Sequence, residues 1–107
     1  MNGFNYPGFS EEAVARLIEI EQSQGVKING IGADNIAVDA GIETGAPEFG
    51  PGAFPAHRYG LARGWKMLEN LANTAELRTG QCDLFVGAMN HIGGVAGWAR
   101  IFARCVR

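Results

Sequence analysis

Residues 82–107 read CDLFVGAMNHIGGVAGWARIFARCVR, and the period assigned to this run decides the fold. Trp98, Ile101, Phe102 and Cys105 fall at spacings of three and four, while Arg100, Arg104 and Arg107 occupy another helical face. In the last turns of a helix those cations would complement the dipole. The spacing therefore predicts C-terminal helix. Gly87, Gly93, Gly94 and Gly97 interrupt the run, and each costs a helix about 1 kcal/mol relative to alanine. Either helices approach closely at these glycines, or the run breaks at Gly93-Gly94 into two short helices.

The same period extends backwards. Pro55 suits the first turn of a helix and Gly80 suits a stop. Between them Leu61, Trp65, Leu68, Leu71, Ala72 and Ala75 form one apolar stripe, which predicts a long helix over residues 55–79.

Before it, residues 41–56 hold four glycines and three of the four prolines, punctuated by Phe49 and Phe54. Such a stretch is neither helix nor central strand, and a loop this long in a small domain is usually functional or disordered. Three readings stand: a cover over the chain's own core, an arm whose Phe49 and Phe54 contact a partner, or a mobile loop. Residues 26–39 alternate at Val26 and Ile28 and again at Ile36 and Val38, with turn residues at 30–34, which predicts a short hairpin. The rival is a brief helix capped by Asp34 or Asn35. Ser10 reads as an N-cap, Glu11 and Glu12 suit a first turn, Val14, Leu17 and Ile18 make an apolar face, and Gly25 ends the helix. Residues 1–9 carry Phe4, Tyr6 and Phe9, an aromatic arm expected to be pinned to a surface.

A chain of 107 residues is read as one domain, 1–107. Its 47% hydrophobic and 19% charged content is that of a globular protein, which sets disorder aside for all but the Gly/Pro loop. Net charge is −2, yet residues 1–54 carry eight acids and two bases, and residues 55–107 three acids and seven bases. The asymmetry favours the halves meeting and argues against nucleic-acid binding. Residues 84–102 come nearest to a membrane segment, but Asn90, His91 and the glycines interrupt them. The expected location is the cytoplasm, with Cys82 and Cys105 as free thiols; a disulfide between them is the alternative for a secreted chain.

Four constellations bear on chemistry. Tyr59, Arg63 and Lys66, flanked by His57 and Trp65, would share a helical face and converge on an anion such as a nucleotide. Against this stands a basic face that pairs with the acidic first half. Cys82 at a helix start would be a thiol nucleophile, but His91 nine residues on would face the opposite side, leaving only His57 as a base. No paired ligand spacing supports zinc at His57, His91 and Cys82. Asp34, Asp39, Glu43 and Glu48 lack the spacing and closing glutamate of a calcium loop. No metal or other cofactor is expected.

The expected fold is α+β and mainly helical, with all-α as alternative: an N-terminal helix, a short hairpin or irregular layer, the long loop, then two or three C-terminal helices. Leu17, Ile18, Leu61, Trp65, Leu68, Leu71, Phe85, Met89, Trp98, Ile101 and Phe102 are the expected core. So many large apolar groups in a small domain point to a homo-oligomer. The expected function is a non-enzymatic interaction module that self-associates through its C-terminal helices and contacts another protein through the Gly/Pro/Phe loop. Binding of a small anionic ligand is the alternative, and a cysteine-dependent hydrolase is the third.

Overall fold

The computed structural model describes residues 6–41, 53–77 and 80–106. The chain divides into two compact units, Met1–Ala72 and Asn73–Arg107.

In the first unit, α1 spans Glu11–Gln24. Ser10 caps it by accepting the Ala13 N–H at 3.2 Å, and Gly25 closes it in the left-handed region. The strand β1, Gly30–Gly32, follows, then the helix α2, Pro55–Ala62, and the strand β2, Lys66–Leu68. Strands β1 and β2 pair in parallel, Ile31 opposite Met67. Parallel pairing needs a crossover, and α2 lies within it. The hairpin expected over residues 26–39 is thereby corrected, because its supposed turn is itself a strand. Gly30 permits this: a Cβ there would stand 2.6 Å from the Lys66 carbonyl oxygen.

The long helix over residues 55–79 is also corrected, since α2 ends at Ala62. The Gly60 carbonyl accepts both the Arg63 and Trp65 N–H groups, at 3.0 and 2.9 Å, and Gly64 turns the chain at φ 78°. The apolar residues beyond it then serve a strand. Trp65 folds back over Gly60, where a side chain would strike its ring. Phe9 bridges to Asp39 in parallel and donates its N–H to Val38 at 2.8 Å, while Tyr6 accepts the Gly41 N–H. The N-terminal segment from residue 6 thus runs beside residues 38–41; Phe4 lies outside the described residues.

Val14, Ile31, Val38, Ala56 and Trp65 form the buried core, with Phe9, Leu17, Ile18, Ile28 and Met67 packed around it. Burying a side chain such as Val14 contributes at most about 1.5–3 kcal/mol.

The second unit contains a 3-10 turn, Thr74–Glu76, and two strands, β3, Cys82–Ala88, and β4, Ala99–Cys105. They pair antiparallel from Cys82↔Cys105 to Ala88↔Ala99. The expected C-terminal helices are therefore strands, and the fold is not mainly helical or all-α: among the described residues it has two helices and two two-stranded sheets. The helical period misleads here because both faces of β4 carry apolar residues. Ile101 and Cys105 lie on one face, Trp98 and Phe102 on the other, so strand alternation also produces spacings of three and four. Much of the expected core is accordingly exposed: Leu61, Phe85, Met89, Trp98 and Phe102 all face solvent.

Cys82 and Cys105 form a disulfide, which corrects the expectation of free thiols. Among the described residues no helix is long and apolar enough to cross a membrane.

Candidate functional site

In the first unit, polar chemistry gathers around Asp39, which is 1% exposed. The helix α2 has Phe54 at its N-cap and gains no capping bond from that side chain, so its first N–H groups need acceptors from elsewhere. Asp39 supplies them: Oδ1 accepts the Ala56 N–H at 2.6 Å and Oδ2 the His57 N–H at 3.3 Å. Oδ2 also lies 2.5 Å from His57 Nδ1. That contact holds the imidazole ring in place against the carboxylate.

The other ring nitrogen, Nε2, faces Glu69 Oε1 at 3.4 Å. That same oxygen accepts the Val38 N–H at 3.2 Å, which anchors Glu69 just beyond β2. The pair can share a proton between Nε2 and Oε1 or hold a small cation there. His57 and Glu69 are thus the two side chains here able to hold a cation, with Asp39 behind as orienting carboxylate. Among the described residues no cluster of three or more such ligands forms.

The residues expected to bind an anion are dispersed by the early end of α2. Tyr59 is on the helix and donates to Glu11 at 3.1 Å. Arg63 follows the helix and pairs with Glu21 at 3.0 Å. Trp65 is buried and points its Nε1 at Glu21, 3.4 Å away. Lys66 is exposed on β2. Glu21 is the hub of these contacts: the Ile28 N–H above all, then Arg63 and Trp65, hold its carboxyl below the usual carboxylate range against some desolvation. Only His57 of the expected set belongs to the Asp39 centre.

Glu69 escaped the sequence reading, and Asp39 entered it only as a rejected calcium ligand. Thirty residues separate them, so spacing carries no signal; the position of Asp39 between Val38 and Ala40 was the available hint of a buried acid.

Cys82 opens a strand and its sulfur is bonded to Cys105, so it is neither at a helix start nor a free nucleophile. Of the residues weighed for zinc, His57 belongs to the first unit, and His91 and Cys82 to the second, where the Cys82 sulfur is bonded to Cys105. Of the loop phenylalanines, Phe54 precedes α2 with φ 52° and is 39% exposed; Phe49 lies outside the described residues.

The second unit presents an apolar ribbon. Cys82, Leu84, Val86 and Ala88 of β3 share a face with Ala99, Ile101, Ala103 and Cys105 of β4, and that face bears no charge. Asp83, Arg100 and Arg104 all lie on the opposite face, where Asp83 pairs with Arg104 at 2.6 Å and Phe85 stacks on Phe102 at 4.8 Å. A cavity of about 520 Å³ lies not at the Asp39 centre but at the disulfide end of this hairpin. Compared with known protein families, curated proteins and solved structures, the chain matches none of them.

Proposed function

We propose that the chain is a protein-interaction module that self-associates through the hairpin β3–β4. One observation carries the reading: a two-stranded hairpin whose uncharged face is apolar along its whole length, with Leu84 50% and Val86 36% exposed. An isolated hairpin is marginal in water, and a contiguous exposed apolar face marks a site of association. A second copy of the same chain is the occupant that fits. Leu84 stands opposite the small Ala103, so a two-fold partner can set its Leu84 over Ala103. With every strand charge on the other face, no like charges meet. The Gly/Pro/Phe loop remains part of this reading as the contact to another protein. A cytoplasmic setting belongs to it too. Light scattering on a concentration series tests the proposal: a dimer is expected, and a monomer throughout would overturn it.

The approach of His57 Nε2 to Glu69 Oε1, 3.4 Å, favours a second reading, in which the first unit holds a small cation or moves a proton there. Calorimetric titration with zinc ions, on the parent and on Glu69→Gln, tests it; binding lost in the variant is expected, and equal heats in both would end the idea. The anionic-ligand reading keeps less support, with Tyr59 and Arg63 already engaged by Glu11 and Glu21.

A further inference from the structure

We propose that the Cys82–Cys105 disulfide is a redox lock on the fold of the hairpin. The two cysteines stand directly opposite in register, at the end of the ladder away from the connection between the strands. The bond therefore closes the open end of the hairpin, across a sequence separation of 23. What else holds this unit together is slight. None of its described side chains is buried. The one ion pair of its strands among the described residues, Asp83–Arg104, is 65–75% exposed, where such pairs contribute little. The Phe85–Phe102 stack covers only one of the two faces.

A cross-link across a ring of this size removes chain entropy from the unfolded state worth roughly 300-fold in the folding equilibrium. A hairpin without a core has little else to offset that loss. The bond is also reachable, because the 520 Å³ cavity opens beside it, lined by residues 80–83 and 104–106. In a reducing cytoplasm, disulfides that form are typically transient and redox-sensing.

The reductant is a cellular dithiol. Its thiolate attacks one sulfur, the Cys82–Cys105 bond breaks, and a mixed disulfide forms. The reductant's second thiol resolves that bond and leaves as a disulfide. Two electrons and two protons end on the cysteine thiols. Reduction then melts β3 and β4 while the first unit, which has its own core, keeps its fold. That melting also dismantles the association face is the part that rests on the proposed function.

Hydrogen exchange of the full chain, oxidised and after dithiothreitol, tests the lock, with thiols counted by alkylation and mass. Two protected sulfurs are expected before reduction and two free thiols after it. Amides of β3 and β4 should then exchange up to about 300-fold faster, with residues 9–39 and 55–68 unchanged. Cys82→Ser/Cys105→Ser should match the reduced chain under both conditions. Strand protection that survives complete reduction would overturn the proposal, as would two free thiols in the chain after oxidation. Light scattering on the same samples reads association separately, so a lock that opens without altering oligomeric state counts against the docking reading alone.

Discussion

Replacing Asp39 by alanine is the most informative perturbation of the first unit. The side chain is 1% exposed and accepts the Ala56 N–H at 2.6 Å and the His57 N–H at 3.3 Å. It thus acts as an N-cap delivered from a distant segment, and losing a cap costs about 1 kcal/mol. Ala56 is fully buried, so its N–H would stay unpaired, which moves this loss to the upper end of the range for caps, about 2 kcal/mol. That is a large share of the roughly 4–11 kcal/mol available to a unit of this size. His57→Ala should cost less, about 1 kcal/mol, because its ring is partly exposed and Asp39 keeps both backbone donors. Urea unfolding followed by Trp65 fluorescence is the assay. A Trp98→Phe background removes the exposed indole of the second unit and leaves the buried Trp65 as reporter. If Asp39→Ala stayed within about 0.5 kcal/mol of its parent, the remote-cap argument would be wrong. Equal losses for Asp39→Ala and His57→Ala would move the weight from the helix end to the imidazole.

Acid should weaken the first unit partly through Glu21. The Ile28 N–H holds the Glu21 carboxyl below the usual glutamate range in the folded chain, so its contribution is complete above the unfolded pKa and is lost as pH falls through the folded one. Melting temperatures across that acid window should therefore fall less steeply for Glu21→Gln than for the parent; parallel curves would contradict the assignment. At Gly8 a Cβ would run into the Asp39 and Ala40 backbone, which cannot yield as a side chain can. Gly8→Ala should lower stability by about 2 kcal/mol, or roughly 10 °C in melting temperature, and an unchanged melt would show that the 6–9 segment is not held there.

Local chemistry made α1 legible: Ser10, the paired glutamates and Gly25 each act through neighbours within a few residues. Beyond that helix, the decisive contacts are remote. Lys66–Leu68 becomes a strand because Gly30–Gly32 is there to pair with it, and periodicity within residues 55–79 contains no trace of that partner. The hairpin was misread for another reason. Apolar residues on both faces of β4 obscure the alternation, and the arginines at 100 and 104 repeat at a spacing that suits helix and strand alike. The aromatic and β-branched pairs Phe85-Val86 and Ile101-Phe102 were the signal for strand. At the polar centre, His57 stood out in sequence as a titratable residue near a helix start. Its partners Asp39 and Glu69 come from segments that only the tertiary fold brings to it.

In the proposed function, the uncharged face of β3–β4 holds two copies of the chain together. Sedimentation velocity on three oxidised proteins tests it most directly: the parent, Leu84→Glu on that face, and Arg100→Glu on the opposite face. Dimers are expected for the parent and Arg100→Glu, and a monomer for Leu84→Glu, whose carboxylate would be buried against the second copy. A monomeric parent, or a Leu84→Glu dimer as tight as the parent's, would contradict it.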